Sequence, residues 1–118
     1  MKTVFEPFKL AGITFSNKII RSATFEGVAD ENGKPTEQLI KKYEVLSKGG
    51  VGGIITGFIG VGQQGKASDN MVMINKAENI EVLKELTKRM HELETPVIAQ
   101  LNHCGGQSKE ESANMEIV

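Results

Sequence analysis

Three short apolar runs, separated by two stretches with helical periodicity, constrain this chain more than any other feature. Ile19-Ile20, Val51-Gly52-Gly53-Ile54-Ile55-Thr56 and Val97-Ile98-Ala99-Gln100-Leu101 read as strands. Between the first two, Thr36 stands as a helix cap, and Leu39, Ile40, Tyr43 and Leu46 recur on one helical face. Gly49-Gly50 ends that helix, because glycine accepts the left-handed conformation past a helix C-terminus. Between the second and third runs, Ile80, Leu83, Leu86, Met90 and Leu93 point inward, while Glu81, Lys84, Glu85 and Lys88 point outward. Asn75 and Glu78 have the spacing of a capping box, and Thr95-Pro96 breaks the helix. Ahead of these units, Phe8-Lys9-Leu10 and Ile13-Thr14-Phe15 flank Ala11-Gly12 as a small hairpin. Alternating βα units imply a parallel sheet with right-handed crossovers.

A parallel sheet needs cover on both faces, and two helices cover one. A (β/α)8 barrel takes roughly 250 residues, against 118 here. The expected fold class is therefore α/β: residues 1–118 as the N-terminal segment of a TIM barrel, a hairpin plus about three βα units, and a fragment. The competing reading is a small, complete three-stranded α/β domain. Apolar content of 39% suits a globular chain, and a net charge of −1 with mixed signs leaves no basic face for nucleic acid. No run approaches the ~20 apolar residues of a membrane span, and the N-terminus lacks a signal-peptide core. A soluble, cytoplasmic protein with small-molecule partners is expected. Open sheet edges make self-association into a homo-oligomer a further expectation. The single Cys104 excludes an internal disulfide and a cysteine-only metal site.

Ligands of parallel α/β proteins sit at strand C-terminal ends. Two of the three runs end in small or polar residues, at Arg21-Ser22-Ala23-Thr24 and at Gln100-Leu101-Asn102-His103. Gln100 is out of pattern in an apolar strand. A buried amide must be hydrogen-bonded, and its two donors and one acceptor suit a ring with alternating C=O and N–H groups. Bonding to neighbouring backbone is the other reading. His103 is a candidate substrate contact or a satisfied structural histidine, with no partner at metal-ligand spacing. His91, among charged residues, reads as a surface side chain. Gly60-Val61-Gly62-Gln63-Gln64-Gly65-Lys66 imitates phosphate-binding glycine motifs, which would make a nucleotide- or phosphate-binding module. Ala67 lacks the hydroxyl that a P-loop needs after its lysine, and no helix starts at these glycines. A mobile loop from Gly57 to about Asn75 is the plainer reading.

Phe5-Glu6-Pro7-Phe8-Lys9-Leu10, Ser16-Asn17-Lys18-Ile19-Ile20-Arg21-Ser22-Ala23-Thr24, Gly49-Gly50-Val51-Gly52 and Ala99-Gln100-Leu101-Asn102-His103-Cys104-Gly105 occur in this order. Together they resemble the N-terminal part of the old yellow enzyme family, FMN-dependent NAD(P)H oxidoreductases and ene-reductases. The resemblance implies a (β/α)8 barrel with FMN at its C-terminal mouth. It implies that Ser22, Ala23, Thr24 and Phe25 follow strand one along the flavin, that Gly57 and Phe58 follow strand two near the ring edge, and that Gln100 bonds the pyrimidine ring. NADH or NADPH would give a hydride through FMN to an activated alkene or similar acceptor. Family members often carry Thr or Cys at the place aligned with Phe25, which cannot donate a hydrogen bond. The family's substrate-holding pair, proton donor and phosphate-binding residues fall beyond residue 118, so the catalytic residues are unknown. The chain alone would be inactive, and His103 is not to be promoted into the missing role.

Overall fold

The computed structural model describes residues 3–113. The hairpin forms as read, from β1 (Phe8–Leu10) and β2 (Ile13–Phe15), paired antiparallel with Phe8 opposite Phe15. Ala11 and Gly12 both take positive φ, 49° and 81°, as a two-residue turn matched to strand twist requires. The rings of Phe8 and Phe15 stack at 4.9 Å.

A three-stranded parallel sheet follows, in the order β3 (Ile20–Arg21), β4 (Gly53–Gly60), β5 (Val97–Asn102). Two helices connect the strands: α1 (Glu37–Lys48) and α2 (Ala77–Glu92). Both pack on one face, where Leu39, Ile40, Tyr43, Ile54, Leu86 and Met90 form the buried core. Each buried apolar side chain of this size contributes about 1.5–3 kcal/mol relative to exposure, so this layer holds the unit together. Arg89 ties the helices at the surface, with Nη1 on Glu37 at 2.7 Å and Nε on Glu85 at 2.9 Å.

Several boundaries differ from the sequence reading. Thr36 is the N-cap of α1, but its hydroxyl donates to the Val28 carbonyl instead of accepting from the helix. The capping box at Asn75 does not form; Lys76 occupies the N-cap of α2 without a side-chain cap. Gly50, at φ 89°, makes the left-handed turn after α1. The second strand does not stop at Thr56. It continues through Gly57 and Phe58 to Gly60, so the following loop begins at Val61. The strand β4 is largely buried, whereas Ile98 to Leu101 of β5 are exposed. The strand β5 has a hydrogen-bonded neighbour on one side, and among the described residues nothing pairs with its other edge. Past β5, the polar tail forms a short helix, α3 (Glu110–Ala113). No helix of the described residues is long and apolar enough to cross a membrane.

The strand β4 carries one extra residue. Ile55 pairs with Ile98 and Phe58 with Gln100, so three steps on β4 match two on β5. Such a bulge resets the alternation of side chains. Ile54 faces the helices. Without the bulge Phe58 would share that face. With it, Phe58 joins Gln100 on the face turned away from α1 and α2.

Candidate functional site

Parallel pairing brings the C-terminal ends of β3, β4 and β5 to one end of the sheet. The segment Ser22–Phe25 leaves β3 there and crosses against β4. A Cβ placed on Gly57 would lie 2.4 Å from the Thr24 carbonyl oxygen, so only glycine admits this crossing. One residue on, Phe25 and Phe58 stack at 4.9 Å with planes 2° apart. Phe58 is in register with Gln100 on β5. Thr24, Phe25, Gly57, Phe58 and Gln100 therefore occupy one neighbourhood. Gly57 and Phe58 reach it from within β4, not from a loop after it.

The polar groups are largely free. Thr24 Oγ1 donates to the Ser22 carbonyl at 3.1 Å and accepts from Arg21 Nε at 3.3 Å. Among the described residues, the amides of Ala23, Thr24 and Phe25 carry no hydrogen bond to protein. Gln100 donates its backbone amide to Thr56 Oγ1 at 3.1 Å. Its side chain is exposed rather than buried, contrary to the sequence reading, because it stands on the open face of an edge strand.

Beneath this surface lie two supports that the sequence reading missed. Tyr43 of α1 was legible as a core residue, but its hydroxyl also accepts the Gly57 amide at 3.2 Å, under the bulge. Burial pushes its phenol above the usual range, the Gly57 hydrogen bond pulls down, and nearby Glu26 pushes up. Glu26 accepts from Arg21 Nη2 at 2.8 Å and from Lys42 Nζ. No local periodicity marks either contact.

His103 does not face an open site on both sides. Its Nδ1 accepts the Gly105 amide at 3.2 Å, and a Cβ on Gly65 would fall 2.6 Å from its ring. Cys104 Sγ accepts from Asn102 Nδ2 at 3.0 Å. His91 is exposed on α2, as read. The phosphate-binding reading of the glycine loop fails on geometry. Gly60 is in β4, and Gln63–Gly65 make a single 3-10 turn, not a long helix. Lys66 is buried, with Nζ donated to the Glu31 carbonyl at 2.7 Å, so its ammonium is withdrawn from the loop. No group of three or more His, Cys, Asp or Glu among the described residues could hold a metal.

The profile of the NADH:flavin oxidoreductase / NADH oxidase family matches residues 3–117. The chain belongs to this family. Among curated relatives, the 4,4'-dithiodibutanoate disulfide reductase of Rhodococcus erythropolis is 31% identical over 87% of this chain and 25% of its own length. The NADPH dehydrogenase of Geobacillus sp. (strain WCH70) is 30% identical over 90% of this chain and 32% of its own. The chain thus spans a third or less of the length of these relatives. The old yellow enzyme homologue from Zymomonas mobilis superposes with a TM-score of 0.89 at 23% identity, over 98% of this chain and 32% of its own. The old yellow enzyme from Pichia sp. AKU4542 gives 0.88 at 19% identity, over 95% and 30%. The hairpin and the βα units of this chain are accordingly a portion of a TIM-barrel fold.

Members of an FMN-using family need a place for a flat ring with alternating donors and acceptors. The residues present fit that ring. Ser22, Ala23 and Gly57 are small, the free amides of Ala23 to Phe25 supply donors, and the Gln100 amide supplies both kinds of partner. They do not supply a phosphate grip, since Arg21 is committed to Glu26 and Lys66 to Glu31.

Proposed function

We propose that this chain supplies the first three strand ends of the flavin site in an FMN-dependent NAD(P)H oxidoreductase of the ene-reductase type. Residues 1–118 are then the N-terminal segment of the barrel domain. When bound, FMN supplies hydride transfer from NADH or NADPH to an activated alkene or similar small-molecule acceptor. The observation that carries this reading is the register of Gln100 with Phe58 beside the crossing Ser22–Phe25 segment, in a chain of the NADH:flavin oxidoreductase family.

Each residue has a task that its position supports. The Gln100 amide bonds the polar edge of the ring and fixes its orientation. Donors there also stabilise negative charge on that edge, the electrostatic contribution a protein makes to such chemistry. The amides after Ser22 line the adjacent edge. Phe25, stacked on Phe58, is an apolar wall that excludes water without donating a hydrogen bond.

The test is the visible spectrum of the protein expressed whole from its own reading frame, beside residues 1–118 alone. The whole protein is expected to be yellow, to release one FMN per chain on denaturation and to bleach under NADH or NADPH. A whole protein that stays colourless with added FMN refutes the reading. Residues 1–118 alone are expected to bind FMN weakly or not at all, because Arg21 and Lys66 are already committed to Glu26 and to the Glu31 carbonyl.

A further inference from the structure

The segment Ser22–Phe25 has no regular secondary structure and no backbone bonds of its own amides from Ala23 to Phe25, yet it takes a defined path. Its two flanking residues are clamped to each other. Arg21, the last residue of β3, donates Nη2 to Glu26 Oε1 at 2.8 Å and Nε to Thr24 Oγ1 at 3.3 Å. The second oxygen of Glu26 takes Lys42 Nζ from α1. The Glu26 side chain is 8% exposed, whereas Lys42 is 45% exposed. A carboxylate buried to this degree is costly unless paired, and here both oxygens are used by cations on different elements.

We propose that Glu26 is a positioning residue. It staples the ends of the Ser22–Phe25 segment together through Arg21 and anchors the closed segment to α1 through Lys42, which sets the amides of Ala23 to Phe25 at the flavin edge. This rests on the flavin reading given above. Glu26 itself touches no reacting atom.

Two measurements test it separately. Backbone 15N order parameters of residues 1–118 are compared for wild type, Glu26→Gln, Glu26→Asp and Lys42→Met. Ala23 to Phe25 are expected to fall from about 0.85 to below about 0.6 in Glu26→Gln. Lys42→Met should loosen them less, and Glu26→Asp should recover part of the order. The amides of Leu86 and Met90 in α2 should not change. Order at Ala23–Phe25 unchanged in both Glu26→Gln and Lys42→Met overturns the proposal, as does equal loosening of α2, which marks a general structural role. Should Glu26→Gln fail to fold, Lys42→Met decides, because Lys42 is on the surface. In the whole protein, Glu26→Gln is expected to weaken FMN binding about tenfold, the effect of one charge-assisted hydrogen bond. Unaltered FMN affinity overturns the proposal. If wild type binds no FMN, the functional reading fails, while the order parameters still decide whether Glu26 is a staple.

Discussion

Replacing Gly57 by alanine tests the contact on which the site geometry turns. The new Cβ would sit 2.4 Å from the Thr24 carbonyl oxygen, where ordinary contact begins at 3.4 Å, so β4 and the crossing segment must part by about 1 Å. Both neighbours are backbone, so no side-chain rotation relieves the clash. Overpacking of this kind costs about 1–3 kcal/mol. Alanine also restricts the unfolded chain, which returns about 0.4–1 kcal/mol. Gly106→Ala is the matched control, because nothing lies within 4 Å of its Cβ position and its φ is not left-handed. The difference between the two variants removes the unfolded-state contribution common to both. Thermal unfolding by circular dichroism should place Gly57→Ala below Gly106→Ala by roughly 4–12 °C. Equal melting temperatures would refute the argument that a backbone carbonyl fills the space beside Gly57.

Tyr43→Phe leaves the Gly57 amide without its partner and should cost about 1–3 kcal/mol at neutral pH, read from denaturant midpoints. Burial raises the Tyr43 pKa above its unfolded value of 10.0, so the folded state holds the proton more tightly. Stability from this source is complete below pH 10.0 and is lost as pH climbs through the raised folded value. Wild type should therefore show a steeper alkaline loss than Tyr43→Phe, and parallel alkaline limbs would count against it. In the whole protein, Gln100→Leu should weaken FMN binding about tenfold and shift its reduction potential. Unchanged affinity and potential would remove Gln100 from the site.

The periodic parts of the molecule were legible in the sequence, and the long-range parts were not. Ala11-Gly12 announces a tight hairpin turn, and Leu39, Ile40, Leu86 and Met90 announce their helix faces, because each signal lies within a few residues. The reading of β4 ended at Thr56 because Gly57 interrupts the apolar run, whereas the strand continues through a bulge held by Tyr43, 14 residues earlier. Thr36 is the N-cap of α1 as read, although its hydroxyl satisfies the Val28 carbonyl, whereas α2 starts after Lys76 and not at Asn75. Gln100 stood out as a polar residue in an apolar run, but its exposure was not legible there, because it depends on what covers that face. Glu26 gave no signal. Its partners lie 5 and 16 residues away on different elements, and only the fold brings them together.

The extra residue in β4 lets two residues five positions apart serve the same layer. Strict alternation would set Ile54 and Ile59 on opposite faces, yet both are buried. Deleting one residue between them would evict one of the two isoleucines from the interior.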